Sequence, residues 1–247
     1  KVWFINFCKQ HGLPVPTTFE NLQDLPKDAF PVFYKQKNET GGRIRGTCMS
    51  MKNIPINWAQ DLIFQEYIDT YGTYGVGFLA LDGELIVSFA HFELESLPKT
   101  GGSGVIVESL KNPDSRLIEL TKLFVSKFKY SGWGLAEFKY DKRRKDYVFM
   151  EVNAKFWASC ELAFRNEPAF LGELFGVKKE KEFIERMVFL NRAFERGSFF
   201  LILNFHKFFT ARVVTYPWLI KSILKGICPD QVRQLVKQVR RKKYVNS

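Results

Sequence analysis

The sequence predicts an α+β fold, because two β-hairpin signals flank an amphipathic helix. The first signal is Asp82-Gly83, which joins two apolar segments and is typical of a two-residue hairpin turn. The second is the polar segment 141–146, which has the composition of a hairpin loop between strands. Between them Asn112-Pro113 opens a helix, whose apolar stripe consists of Leu117, Leu120, Phe124 and Phe128.

The second hairpin carries a candidate metal site. Side chains alternate along a strand, so Glu151 and Asn153 are expected on one face, and the other face would carry Val148, Met150 and Val152. Folding at the loop brings Glu137 close to Glu151. Two carboxylates 4 Å apart repel by roughly 4 kcal/mol at an effective dielectric of about 20, which favours a bound cation.

Oxygen ligands without a nearby histidine or cysteine suit Mg²⁺ or Mn²⁺ carried in with a nucleotide, because Mg²⁺ usually takes one or two carboxylates plus phosphate oxygens. The alternative is a solvated hairpin that keeps its glutamates on the wet face.

Upstream, the segment 31–35 predicts a strand that ends in Lys35 and leads into a loop closing with 40–46. A lysine beside glycines favours phosphate binding, because glycines let backbone N–H groups approach an anion. The loop is not a P-loop, since Thr47-Cys48 follows Gly46 where Lys-Ser/Thr is required. An ordinary loop is the alternative.

Two more segments complete the series. Residues 62–69 predict a buried strand that runs into a connector, and 99–104 form a second glycine-rich loop. The order is therefore strand lysine, glycine loop, Gln-Glu-Tyr-Ile segment, Asp-Gly hairpin, acidic strand and Glu-Val-Asn strand.

This series resembles the ATP-grasp superfamily across about residues 1–177, most closely its carboxylate–amine-ligase-like branch, which is similar to carbamoyl-phosphate synthases. The resemblance implies an ATP-grasp fold of two α/β lobes with the nucleotide between them. It also implies ATP and Mg²⁺ (or Mn²⁺) as cofactors, and small-molecule carboxylate and amine substrates that are ligated through an acyl phosphate.

The resemblance assigns a role to each matching residue. Lys35 and Lys1 match phosphate-binding lysines, and Gln65 matches the position that reads the adenine amino group. Backbone contacts to the nucleotide are implied for Glu66 and Ile68. The glycines implied to cover the phosphates are Gly41, Gly42 and Gly46. The implied metal ligands are Glu137, Glu151 and Asn153.

Three positions depart from the family pattern. The ribose-binding carboxylate has no counterpart in 71–74, and Glu93 and Glu95 stand where the branch commonly has an arginine-rich segment. Lys155 replaces the family's arginine near the transferring phosphoryl group, which keeps the charge but loses the bidentate donor. A second hypothesis is therefore an ATP-binding regulatory or scaffold module without ligase turnover.

The charge distribution predicts three parts: an N-terminal lobe over 1–68, a central lobe over 69–177 and a basic, aromatic-rich helical extension over 178–247. The first two parts hold 21 basic and 21 acidic residues, whereas the extension holds 16 and 5 and carries the whole net charge of +11. The extension is either a solvated helical cap or a surface for an anionic membrane or acidic partner. No nucleic-acid motif accompanies the charge.

The remaining composition predicts a cytoplasmic protein, peripheral to the inner membrane face if the extension docks there. Its four cysteines, Cys8, Cys48, Cys160 and Cys228, are far apart and are expected to be reduced. No apolar run approaches the roughly 20 residues that a span needs. The first residue is not methionine, and the resemblance leads us to expect a preceding substrate-binding domain. The histidines are too scattered for a zinc site. Oligomeric state is not predicted.

Overall fold

The computed structural model describes residues 1–37, 44–99 and 102–217. Within these ranges, the helices and strands in chain order are α1 (Val2–Gln10), β1 (Thr18–Phe19), β2 (Val32–Gln36), β3 (Arg45–Cys48), β4 (Leu62–Glu66), β5 (Thr73–Leu81), β6 (Glu84–Leu97), β7 (Ser103–Ser109), α2 (Ser115–Phe128), β8 (Gly132–Asp141), β9 (Asp146–Asn153), α3 (Cys160–Asn166), α4 (Ala169–Phe175), β10 (Arg186–Phe189), α5 (Leu190–Glu195), α6 (Ser198–Asn204) and β11 (Ala211–Val214).

The N-terminal sheet is antiparallel, with the strand order β1-β4-β2-β3. Its strands alternate as the period of two requires. One face packs into a small core that includes Val32, Leu62 and Phe64. The opposite face, with Phe33 and Lys35, borders a cleft.

The central sheet has the strand order β11-β10-β7-β6-β5-β8-β9, antiparallel apart from the parallel pair β10–β11. Both predicted hairpins are present. The β5–β6 turn has φ values of 48° at Asp82 and 86° at Gly83, as a two-residue hairpin turn requires. In the β8–β9 hairpin, Asp141 pairs with Asp146.

Helices α1 and α2 cover one face of the central sheet. The buried residues Ile5 and Cys8 of α1 share a core with Leu117 and Phe124 of α2 and with the sheet itself. The Asp114 carboxylate caps α2 by accepting from the Arg116 backbone N–H at 3.0 Å. Helix α1 thus packs with the central sheet, although the sequence division assigned it to the N-terminal lobe.

The other face of the central sheet is covered by Trp157, α3 and α4. Two glycines of β5 make this close packing possible. A Cβ at Gly77 would lie 2.2 Å from Trp157 Cζ2, and one at Gly75 would lie 2.4 Å from His91 Nε2. Any side chain at either position would displace a ring, so the glycines admit Trp157 and His91 against the sheet.

Residues 178–217 of the predicted helical extension contain strands as well as the helices α5 and α6, because β10 and β11 continue the central sheet. Met187, Val188 and Phe189 are buried, and Val188 pairs with Ile106 of β7. The sequence pattern did not mark β10 as a strand, because its apolar segment is short and its partner strand β7 lies far upstream in the chain. Residues 218–247, with the predicted terminal helices and Cys228, lie outside the described ranges.

The described cysteines, Cys8, Cys48 and Cys160, are free thiols. Burial raises the pKa of Cys8 to about 12. Among the helices that the structure describes, none has the length and apolar character that crossing a membrane demands.

We expect Gly77→Ala to lower the free energy of unfolding by about 1–3 kcal/mol, because the added methyl collides with the buried Trp157 ring. Gly172 is the matched control. It lies inside α4, and a Cβ there would be 4.0 Å from its nearest neighbour, the Val177 carbonyl oxygen. Gly172→Ala should stabilise by up to about 1 kcal/mol through helix propensity. Urea unfolding measures both, and equal effects would contradict the packing described.

We also expect acid to destabilise the protein through His91, which is fully buried. Burial lowers the pKa of His91 to about 4, below its unfolded value of about 6.5. The stability that depends on the neutral ring is present above pH 6.5 and is lost as pH falls through 4. From pH 7 to pH 4 this linkage amounts to about 3 kcal/mol. Denaturant unfolding at several pH values across this range measures the free energy of unfolding. This free energy should decrease less on acidification in His91→Phe than in the parent protein, and an identical decrease would contradict the assignment.

Candidate active site

A cleft of about 980 Å³ lies between the two sheets. The sequence-predicted residues that line it are Lys1, Lys35, Gln65, Glu66, Ile68, Glu137, Glu151, Asn153 and Lys155. They come from both sheets, from the N-terminus of α1 and from the segment after β9. The fold thus brings together nine positions that are scattered along the sequence.

On the N-terminal side, β2 and β4 present adjacent cleft residues. Phe33 pairs with Gln65, and Lys35 pairs with Ile63, so these four side chains share one face of the sheet. Lys1 lies beside this wall, and its Nζ donates to the Gln36 carbonyl at 3.1 Å. The two predicted phosphate lysines therefore reach the same cleft from different elements.

Gln65 is buried and held in one orientation. Its Nε2 donates to Thr18 Oγ1 at 2.9 Å, whereas its Oε1 is buried and has no hydrogen-bond partner among the described residues. An unsatisfied buried acceptor is costly. The carbonyl oxygen thus fits a ligand that brings an N–H donor, such as an adenine amino group.

Glu66 occupies the junction between the lobes. Its carboxylate forms ion pairs with Arg143 and Arg144 of the β8–β9 loop and accepts from the Thr17 backbone N–H at 2.9 Å. The side chain is thus engaged within the protein, and the Glu66 backbone N–H donates to the Thr17 carbonyl at 2.9 Å. The carbonyl of Ile68, two residues on, accepts from Thr70 N–H at 3.0 Å.

The predicted flap glycines are only partly described. Gly46 does not border the cleft. It lies in β3 opposite Tyr34, and a Cβ there would be 2.7 Å from the Tyr34 hydroxyl. Gly46 therefore makes room for the Tyr34 ring, and its place over the phosphates stays a prediction. Gly41 and Gly42 lie outside the described ranges.

The two candidate metal carboxylates face each other across the β8–β9 ladder, where Glu137 pairs with Glu151. Asn153 Nδ2 donates to Glu151 Oε1 at 3.1 Å and to Glu137 Oε1 at 3.5 Å. Burial and the Glu151 carboxylate raise the pKa of Glu137 well above its usual range, with Lys35 acting in the opposite direction. The repulsion expected from the sequence is therefore a feature of the folded site.

A β-bulge in this ladder changes one sequence expectation. The register shifts between Glu137 and Phe138, so Met150 lines the cleft beside Glu151. Phe149 and Val152 pack in the core under α1 and α2. Strict alternation would have placed Met150 with Val152, and the extra residue of the bulge breaks that alternation.

The donor set fits a hard cation that brings its own oxygen ligands. Among the described residues, no group of three or more histidine, cysteine or carboxylate side chains could hold a metal ion alone. Glu137 and Glu151 supply carboxylates, and rotation of the Asn153 amide would present its Oδ1 to the same space. A bound Mg²⁺ would complete its shell with phosphate oxygens and water.

Lys155 follows β9 and lies exposed at the cleft. Its neighbour Phe156 stacks on Trp133, with ring centroids 4.7 Å apart and planes 4° from parallel. The stack anchors the segment that carries the ammonium group into the cleft.

Glu93, Lys139 and Arg192 are among the further charged residues of the cleft that have no role in the sequence prediction. Lys139 lies two positions after Glu137, so the period of two could have placed it on the same face. Its Nζ donates to the Gly72 carbonyl at 3.2 Å. Arg192 comes from α5, which reaches the cleft because the preceding strand β10 pairs with β7. This long-range pairing has no local sequence pattern, so the sequence could not predict the position of Arg192.

Neither a protein-family model nor a curated protein matches the sequence. Solved structures do match. L-amino acid ligase from Bacillus licheniformis is 16% identical with a TM-score of 0.54, over 65% of this chain and 42% of that one. Biotin carboxylase from Campylobacter jejuni, in a β-γ-ATP complex, is 18% identical with a TM-score of 0.55. The match covers 65% of this chain and 41% of that one.

A third match is the biotin carboxylase domain of 2-oxoglutarate carboxylase from Hydrogenobacter thermophilus, solved with MgADP and bicarbonate. It is 16% identical with a TM-score of 0.50, over 70% of this chain and 41% of that one. The chain thus spans less than half the length of each of these three proteins. At these identities the likeness shows the fold alone, and the chain has the ATP-grasp fold.

Proposed function

We propose that the chain is an ATP- and Mg²⁺-dependent ligase, which activates a small-molecule carboxylate as an acyl phosphate for attack by an amine. The observation that carries the proposal is the direct pairing of Glu137 with Glu151 in a cleft. Lys35, on the facing sheet, is close enough for its charge to act on Glu137. The fold that the chain shares with the solved ligase and carboxylase also supports the proposed ligase function.

In the proposed reaction, a carboxylate oxygen of the substrate attacks the γ-phosphorus of ATP, and ADP leaves. The amine then attacks the acyl carbon, phosphate leaves and the amine gives up a proton. A bound Mg²⁺ supplies charge neutralisation of the phosphates. The protein contributes position and electrostatics, as phosphoryl transfer requires.

Each cleft residue then has a task. Lys1 and Lys35 hold phosphate oxygens, and Gln65 Oε1 accepts from the adenine amino group. Lys155 places positive charge beside the transferring phosphoryl group. The metal is held by Glu137, Glu151 and Asn153.

The alternative is an ATP-binding regulatory or scaffold module without turnover. Lys155 favours it, because an ammonium group lacks the fork with which arginine grips two oxygens. ATP binding without phosphate release, across a panel of carboxylates and amines, would support this alternative over the ligase.

We further propose that 178–247 serves as a docking region for an anionic membrane or acidic partner. Its described part exposes large apolar side chains on and after α6, with Phe199 74%, Ile202 72%, Phe205 61% and Phe209 76% accessible. Apolar patches of this kind are uncommon on monomers and typical of interaction sites.

We expect Mg-ATP to raise the melting temperature, because a ligand that binds only the folded state stabilises it, by about 2.7 kcal/mol at a hundredfold excess over Kd. Lys35→Ala should abolish most of this shift. Lys122→Ala, an exposed lysine on α2 at the opposite face of the central sheet, should keep it. Differential scanning fluorimetry measures all three proteins. Absence of a shift with millimolar Mg-ATP would rule out both the ligase and the module.

We expect Glu151→Gln to weaken the metal site without unfolding the protein, since Glu151 faces the cleft and not the core. In phosphate-release assays the rate should fall by about 10² to 10³. Binding of Mn²⁺-ADP, followed by electron paramagnetic resonance, should weaken in parallel and needs no turnover. Glu84→Gln, exposed beside the β5–β6 turn, is the control. Unchanged Mn²⁺ binding in Glu151→Gln would count decisively against the ligand assignment.

A further inference from the structure

The carboxylate of Glu93 lies in the cleft without a direct protein partner. Within the described residues it forms no hydrogen bond and no ion pair within 4 Å. Glu93 pairs with Thr73 across β5–β6, and its charge acts on Glu137. An unneutralised carboxylate in such a place is costly for stability, so the position indicates a ligand group of opposite charge.

Glu95, two residues further along β6, shows the contrasting arrangement. Its Oε1 accepts from the Tyr71 hydroxyl at 2.8 Å, and its Oε2 lies 3.2 Å from Arg196 Nη2. Both glutamates line the cleft, but only Glu95 is neutralised by direct protein partners. The difference separates a structural carboxylate from one that is available to a substrate.

Arg192 is the nearest complement of Glu93, yet the two do not meet. Arg192 Nη1 donates to the Gly104 carbonyl at 2.6 Å, and its guanidinium carbon lies 4.3 Å from the centroid of the Phe189 ring. On the other side of Gly104, a Cβ would lie 3.1 Å from Glu93 Oε1. The backbone of Gly104 therefore separates the two charges, which remain near one another in the same cleft.

Burial raises the pKa of Glu93 to about 7, while Arg192 and then Lys139 act to lower it. The two cations therefore do not fully compensate for the loss of water around the carboxylate. A ligand ammonium group would supply the missing charge.

We propose that Glu93 and Arg192 form a subsite for the head group of an amino acid substrate, with Glu93 binding its ammonium group and Arg192 its carboxylate. A zwitterionic amino acid carries both charged groups on one α-carbon and can bridge two protein charges that are separated by one glycine. Such a ligand would give each of the two groups a direct partner of opposite charge. This inference rests on the proposed ligase function, whose substrate class it names.

The location suits an amine that attacks an activated carboxylate. Glu93 lies two residues from His91 on β6, and His91 pairs with Gly75, which in turn pairs with Glu137 on β8. Two residues along a strand span about 7 Å. The Glu93 charge also acts on Glu137, so an ammonium group at Glu93 would lie on the same side of the cleft as the metal carboxylates, where the acyl phosphate would form.

The test uses the full chain saturated with MgADP, titrated calorimetrically with each of the twenty standard amino acids. Each amino acid is matched with its deamino analogue, for example acetate for glycine and 3-phenylpropionate for phenylalanine. We expect at least one amino acid to bind at least tenfold more tightly than its analogue. Binding of no amino acid, or equal binding of the analogue, would overturn the proposal.

Variants then assign the subsite. Glu93→Gln should weaken binding of that amino acid at least tenfold while its deamino analogue binds as before, and Arg192→Gln should weaken both. Glu95→Gln, which breaks only the internal pair, should leave the affinity within twofold. An unchanged affinity in Glu93→Gln would refute the assignment. If Arg192→Gln fails to fold, Arg192→Lys keeps the charge and removes the fork, and undiminished binding in it would refute the role of Arg192.

The two proposals fail in different ways. MgADP binding without amino acid binding overturns the subsite and leaves the ligase intact. Amino acid binding without phosphate release, in the presence of Mg-ATP and a panel of carboxylates, keeps the subsite and contradicts the ligase.

Discussion

The pairing of Glu137 with Glu151 is the constraint on which the cleft depends. Two carboxylates on adjacent strands repel, and a sheet selected only for stability would not place them opposite each other. The β8–β9 hairpin nevertheless holds this register through its loop and through the core residues Phe138 and Phe149, whose rings lie 4.5 Å apart. Apolar burial under α1 and α2 thus offsets the repulsion on the opposite face. The charged site is maintained by the core behind it.

The glycines of β5 determine how closely buried rings pack against the same sheet. Because Gly75 and Gly77 have no side chains, the rings of His91 and Trp157 lie against the sheet surface, and Trp157 lines the cleft. Trp157 Nε1 and both ring nitrogens of His91 are buried without a hydrogen-bond partner among the described residues. Such groups are costly in a core. Both residues pack on the face of the sheet that carries Glu137, which therefore combines a charged row with unsatisfied buried groups.

Local patterns in the sequence predicted the parts of the fold that depend on local chemistry. Asp82-Gly83 sets its own turn, Lys35 follows an apolar strand, and the spacing of Glu151 and Asn153 marks a cleft face. What the patterns missed depends on distant pairing. The bulge at Met150 follows from the fit of two strands, and β10 is a strand because Val188 meets Ile106. Arg192 enters the cleft only as a consequence, so no local pattern marks it. Gly46 shows the limit of such patterns, because a glycine that makes room for Tyr34 has the same sequence signature as one that covers a phosphate.

The relative position of the two sheets depends on apolar packing more than on the ion pairs that join them. Glu66 pairs with Arg143 and Arg144, but these arginine side chains are 66% and 35% exposed, and exposed pairs contribute about 0–1 kcal/mol. Ile63 pairs with Lys35 across β2 and β4, so its side chain points to the cleft side of the N-terminal sheet. It is fully buried in the core of the central sheet, together with Ile5 and Leu13. Burial of such a side chain contributes roughly 1.5–3 kcal/mol. The ion pairs therefore orient Glu66 at the junction, while Ile63 holds Lys35 and Gln65 opposite the carboxylates of β8 and β9.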